Sequence, residues 1–161
     1  MTVEEAQRTL QTDEVAQRLL NSPIMARLAY TWRDGTPRVV PMWFHWTGQD
    51  ILMGAPPNSP KMKVLTERPQ VAVSIDAVDW PYQWLNVRGI ASVQIVSNPV
   101  PFDEYVSMAN RYLGATGGEQ FLMAHRQTFQ SWARITIQPE VVRILDFQGR
   151  FPGAWSEGSG G

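Results

Sequence analysis

The stretch that most restricts how this chain can fold runs from Pro37 to Arg68. It opens as Pro-Arg-Val-Val-Pro-Met-Trp-Phe-His-Trp, turns through Thr47-Gly48-Gln49-Asp50 and continues as Ile-Leu-Met-Gly to Gly54. It then passes through three prolines, Pro56, Pro57 and Pro60, into Lys61-Met62-Lys63. The pattern reads as a strand, its hairpin partner over 50–54, and a helix. Pro37 and Pro41 remove two ladder N–H donors, which places the first strand at a sheet edge or on a bulge. Backbone groups near Val39 and Val40 are then free. Proline there serves as plain edge protection, or the free groups meet the rim of a flat heterocycle.

The helix has sharp bounds. Ser59 suits the N-cap, Pro60 suits the first helical position, where its missing N–H has no partner to lose, and Pro69 ends the run. Lys61 and Lys63 fall in the first turn, where free amides and the helix dipole already create positive potential. Two readings stand level: both lysines extend into water, or the turn holds an anion such as phosphate with the Ser59 hydroxyl and a lysine ammonium.

The remainder predicts a mainly β chain with helices, an α+β fold. Thr2 and Glu5 form a capping box for a first helix, and a second from Thr12 carries Val15, Ala16, Leu19 and Leu20 on one face, a lid across a sheet. Residues 25–32 alternate as a half-buried strand, and Asp34-Gly35 turns it into the Pro37 strand. Val71, Val73 and Ile75 mark a fourth strand. The longest, 83–96, sets Leu85, Val87, Ala91, Val93 and Ile95 on one face and Trp84, Asn86, Arg88, Ser92 and Gln94 on the other. That second face is either solvated or offered to a ligand or second subunit, and Gly89 permits a kink or close approach. Two helices follow, 102–113 and one opened by a capping box at Thr116 and Glu119, running to about Gln130. Two short strands, 132–138 and 140–146, join at Pro139. The expected domain is 1–147, with a polar, Gly-rich tail over 148–161 that Phe151, Pro152 and Trp155 tack down in part.

Composition narrows the chemistry. With 161 residues and 43% hydrophobic content, one domain with a real core is expected. A net charge of −1, from 14 basic and 15 acidic residues, supplies no bulk attraction to nucleic acid or anionic membrane. No cysteine is present, which removes disulfides, thiolate metal sites and a thiol nucleophile. No leader pattern and no apolar run approaching about 18 residues is found, so a cytoplasmic protein without a membrane span is expected. Of the two histidines, neither sits in a metal-binding pattern, and His45 reads as a packed strand residue. The carboxylates are scattered and no Gly-x-Ser-x-Gly elbow occurs, so no catalytic side chain and no metal site are assigned. Enzymatic chemistry would have to come from a bound cofactor.

In order and spacing, several pieces resemble the split β-barrel of the pyridoxamine 5′-phosphate oxidase-like superfamily of flavin and deazaflavin oxidoreductases. They are Arg27-Leu-Ala, Asp34 to Phe44, Ser59-Pro60-Lys61, Arg68-Pro-Gln-Val-Ala72 and Val87-Arg-Gly-Ile-Ala91. The resemblance implies an antiparallel FMN-binding split barrel with an N-terminal helical lid and a helix insertion. It implies a homodimer with FMN or the deazaflavin coenzyme F420 in clefts between subunits, and hydride transfer to or from a small organic substrate. Ser59 and Lys61 match the phosphate contacts, with Lys63 beside them; Arg38 lies near phosphate or ring, Val39, Val40 and Pro41 lie along the ring edge, and Met53 and Gly54 flank the phosphate. Trp84 and Asn86 fall where the second subunit reaches the cofactor. Pro60 stands where true pyridoxamine 5′-phosphate oxidases carry a second basic residue, and no histidine follows His125. Both departures point away from pyridoxamine phosphate as substrate. The alternative from another class is a non-catalytic split barrel that stores or senses flavin, haem or an apolar ligand.

Overall fold

The computed structural model describes residues 1–150. Helices α1 (Val3–Thr12) and α2 (Glu14–Leu20) precede strands β1 (Ala26–Thr31), β2 (Pro37–Met42), β3 (Phe44–Trp46) and β4 (Ile51–Ala55). Then come α3 (Lys61–Glu67), β5 (Gln70–Asp76), β6 (Gln83–Val96), α4 (Asp103–Thr128) and β7 (Trp132–Asp146). All strand pairs are antiparallel, and the sheet runs β2-β1-β5-β6-β7-β4-β3.

The two ends of that order, β2 and β3, are separated in the chain by Trp43 alone. One residue spans only a few ångströms, so the sheet must curl until its edges meet at Trp43. The single strand expected over Pro37 to Trp46 is thus two. β2 pairs only with β1 and β3 only with β4, so the prolines of β2 do lie on a sheet edge.

β7 is the second correction. It runs unbroken from Trp132 to Asp146, where two strands joined at Pro139 were expected. The ladder absorbs the proline at a register shift between Arg88 and Gly89, with Gly89 opposite Pro139. A β-carbon on Gly89 would lie 2.0 Å from the Gln138 carbonyl oxygen, so the close approach requires glycine.

The helices also adjust. α2 is capped by Asp13, whose Oδ1 accepts from the N–H groups of Val15 (2.9 Å) and Ala16 (3.1 Å), while Thr12 closes α1. α4 breaks at Gly114 (φ 76°, ψ 168°), two residues before the capping box expected at Thr116. Past β7, Gln148 N–H donates to Asp146 Oδ1 and the Arg150 guanidinium pairs with the Asp13 carboxylate. Phe151, Pro152 and Trp155 lie outside the described residues.

The barrel interior is apolar: Leu28, Phe44, Val73, Leu85 and Ile135 are fully buried, and α1 and α2 add Leu10, Leu19 and Leu20. A second cluster, with Leu52, Tyr105, Met108 and Trp132, fills the space between β4, β7 and α4. β4 is covered on both faces, which is why its sequence is a continuous apolar run instead of an alternation.

Candidate functional site

Where β4 ends, Ala55 leads through Pro56 into α3. Ser59 was expected to cap this helix. Instead Pro60 occupies the cap position in helical conformation (φ −55°, ψ −27°), with no side-chain cap bond. The Ser59 carbonyl accepts from Met62 N–H, and its hydroxyl is left to accept from Lys61 Nζ at 3.2 Å. Lys61 is half-buried, and no carboxylate lies within ion-pair range of it among the described residues. Burial holds its pKa below the ordinary lysine value. Lys63, two residues on, is 70% exposed and reaches Glu67 at 3.7 Å.

Lys61 stands on the rim of a cavity of about 350 Å³, bounded by the seam at Pro41, Met42 and Trp43, the end of β4 and the two halves of α4. One wall is aromatic. Trp43 stacks on Tyr112 (centroids 5.2 Å apart, planes 6° apart) and meets Phe121 at 5.0 Å. His125 packs on Phe121 at 4.0 Å and on Trp132 at 4.8 Å. Tyr105 lies 5.3 Å from Trp132. A β-carbon on Gly54 would fall 2.4 Å from the Tyr105 ring and 2.7 Å from Trp132 Nε1, so a bare backbone at the end of β4 is what lets both rings close in.

The polar atoms of this wall are few. His125 Nδ1 lies 3.1 Å from the Phe121 carbonyl, which only accepts; Nδ1 therefore carries the hydrogen, and the lone pair of neutral His125 is on Nε2. Burial pushes the Tyr105 hydroxyl up to about 12, so it stays protonated near neutrality. Trp132 Nε1 is buried without a hydrogen-bond partner among the described residues.

Arg111 fastens α4 to the seam. Its guanidinium donates to the carbonyls of Leu20 (3.0 Å) and Phe44, and lies 4.7 Å from the Phe44 ring centroid. Tyr112 Oη donates to the Ile24 carbonyl at 2.9 Å.

Of the residues singled out in the sequence, Pro41, Gly54 and Lys61 line this cavity together. Ser59 touches it through Lys61. Met53 is fully buried in the barrel interior, opposite Phe44 in the ladder, and Lys63 is spent on Glu67; neither lines the cavity. Arg38, Val39 and Val40 lie along β2: Arg38 donates to Thr36 Oγ1 at 2.6 Å, Val39 is 62% exposed, and Val40 packs on the barrel interior. Trp84 and Asn86 sit on β6, bonded to Ser74 Oγ (2.7 Å) and the Val73 carbonyl (3.4 Å), away from the cavity lining. Trp43, Tyr105, Phe121, His125 and Trp132 were not foreseen as site residues. For Trp43 a signal existed, its place between two edge-type strand segments.

A seven-stranded antiparallel sheet whose first and last strands meet at one residue, with a cavity beside that seam, defines a split-barrel protein of the α+β class. The model of the pyridoxamine 5′-phosphate oxidase family matches residues 12–146, and the chain belongs to that family. Among solved structures it is similar to an F420 reductase, at 28% identity and a TM-score of 0.61, over 79% of this chain and 94% of that one. A conserved hypothetical protein from Mycobacterium tuberculosis matches at 22% identity and a TM-score of 0.69, over 85% and 86% of the two chains. An FAD and haem binding protein from Mycobacterium smegmatis matches at 17% identity and a TM-score of 0.63, over 94% and 79%. The last two likenesses concern the fold. Comparison with curated proteins gave no match. No helix among the described residues is long and apolar enough to cross a membrane.

Proposed function

We propose that this chain is a cytoplasmic, homodimeric oxidoreductase that binds FMN or coenzyme F420 and exchanges hydride with a small organic substrate. The observation that carries the reading is Lys61, a half-buried ammonium with no carboxylate partner among the described residues, on the rim of an aromatic-walled cavity. A cation held partly out of water without a counter-charge is costly, and a cofactor phosphate offsets that cost by a charge-assisted contact. Likeness to an F420 reductase over most of both chains supports the choice of cofactor class.

In this reading Lys61 and Ser59 hold the phosphate. Pro41 and the free edge of β2, with Arg38 and Val39, border the ring. Trp84 and Asn86, which do not line the cavity of their own chain, reach the cofactor from the second copy. The bound cofactor supplies the hydride chemistry; the chain excludes water through its aromatic wall and orients the ring.

The test is a fluorescence titration of the protein with FMN and, separately, with F420. Saturable binding of one is expected, weakened by Lys61→Ala by about 1.5–3 kcal/mol, or roughly 10- to 150-fold, while Lys63→Ala leaves it unchanged. Binding of neither cofactor overturns the reading. So does Lys61→Ala with undiminished affinity. A haem titration run alongside, followed by absorbance, would point to ligand storage if haem alone bound.

A further inference from the structure

The aromatic wall of the cavity has donors to spare and few acceptors. Among the described residues, no Asp, Glu, Asn or Gln side chain lines it. The Tyr105 hydroxyl makes no hydrogen bond to another described residue, although Tyr105 is only 6% exposed. Trp132, 2% exposed, carries a buried indole N–H with no partner among the described residues. The Tyr105 oxygen is accessible and so free to donate to a guest, whereas a buried donor without a partner, as at Trp132, is rare in native proteins. Around them the walls are rings, Trp43 and Phe121 above all, which favour a flat guest.

We infer that this wall bounds the substrate pocket and that the pocket takes a planar aromatic compound bearing a carbonyl oxygen, its ring against Trp43 and Phe121 and its oxygen accepting from the Tyr105 hydroxyl. The inference rests on the reading that Lys61 holds the cofactor phosphate. Discrimination follows from the same donors. A guest of equal shape without the oxygen leaves Tyr105 unpaired and forfeits a neutral hydrogen bond. Choosing a neutral carbonyl keeps Lys61 out of the comparison, because a carboxylate would be drawn to that ammonium wherever its ring lay. His125 Nε2, an acceptor when neutral, adds room for a hydroxyl on the same ring.

The experiment is equilibrium dialysis of the full chain against methyl 2-naphthyl ketone and against 2-ethylnaphthalene, which has nearly the same shape and no oxygen. The ketone is expected to bind about 10-fold tighter, the size of one neutral hydrogen bond. Tyr105→Phe should erase that preference while retaining the ring, and Trp43→Ala should weaken both probes. Equal binding of the two probes, or a preference that survives Tyr105→Phe, overturns the inference. If Tyr105→Phe does not fold, the wild-type comparison of the two probes decides alone. FMN titrated in parallel reads the Lys61 contact separately. FMN binding without ketone preference sinks only this inference; ketone preference with neither FMN nor F420 bound upholds the ring pocket and sinks the oxidoreductase reading.

Discussion

The two walls of the cavity are built differently. One comes from a continuous run of chain, Pro41 through Lys61, in which strands and a tight turn set every residue by local geometry. The other is assembled from Tyr105, Phe121 and His125 on α4 and Trp132 on β7, brought together by a break at Gly114 and by ring-on-ring packing. The strand wall supplies a cation and free backbone. The helix wall supplies apolar surface and neutral donors. Anchoring and selection are thus separate: a ligand's charge is read by local chain geometry, and its shape by tertiary packing.

The contact between the walls is the most sensitive point. Gly54→Val would push a branched side chain into Tyr105 and Trp132, and a loss of about 3 kcal/mol in urea unfolding is expected from overpacking. Unchanged stability would mean that the walls do not meet there. Arg111→Met tests how the helix wall is held. It leaves the carbonyls of Leu20 and Phe44 without their guanidinium donor and should cost about 2–3 kcal/mol, measured the same way. A cost under about 0.5 kcal/mol would show the anchor idle.

The helix wall also has a pH signature. The Tyr105 phenol has a folded pKa raised to about 12 from 10, so its contribution to stability is full below pH 10 and is lost as pH rises toward 12. Roughly 2–3 kcal/mol should disappear over that window in wild type, since each tenfold change in the acid's dissociation constant is worth about 1.4 kcal/mol. In Tyr105→Phe that part of the slope should vanish, leaving the smaller fall expected of Tyr112, whose pKa burial also raises. Equal slopes in the two proteins would place the phenol in water.

On the strand wall the contrast is between two lysines. Without ligand, Lys61→Met should raise stability slightly, since it removes a partly desolvated charge that lacks a counter-ion. Lys63→Met should lower it by about 0.3–0.5 kcal/mol, the worth of an exposed pair one helical turn apart. Thermal melts of both variants, with and without FMN, would reverse the first effect alone if Lys61 holds the phosphate.

How much of this was legible follows the same division. Alternation along β6 as far as Ala91, the edge prolines of β2, the glycine turn at Gly35 and Lys61 at the start of α3 are short-range patterns found where the pattern placed them. Ile95, expected on the apolar face of β6, is 51% exposed because the strand there runs past the core. Ser59 misled because its best local role, capping, lost to a contact with Lys61. Pro139 misled because a proline that ends most strands is tolerated at a bulge, and the bulge depends on Gly89, on a different strand. Tyr105, Phe121, His125 and Trp132 carried no local sign of a site. On a helix, aromatic residues at these spacings read as ordinary core, and only the break at Gly114 and the rings of Trp43 and Trp132 make them a wall.

The sheet order has a consequence for the chain as it is synthesised. The β3–β4 hairpin, Phe44 to Ala55, has no neighbour within the sheet except β7, whose residues begin at Trp132. A ribosome-bound chain that has exposed roughly its first hundred residues can pair β2 with β1, β1 with β5 and β5 with β6, but it must leave that hairpin unfinished on one side. Its apolar residues Leu52 and Met53, fully buried at the end, are then open to any other unpaired strand nearby. The earliest half of the cavity thus waits on the last strand to be made, and a nascent chain stalled before Trp132 would be a target for chaperones.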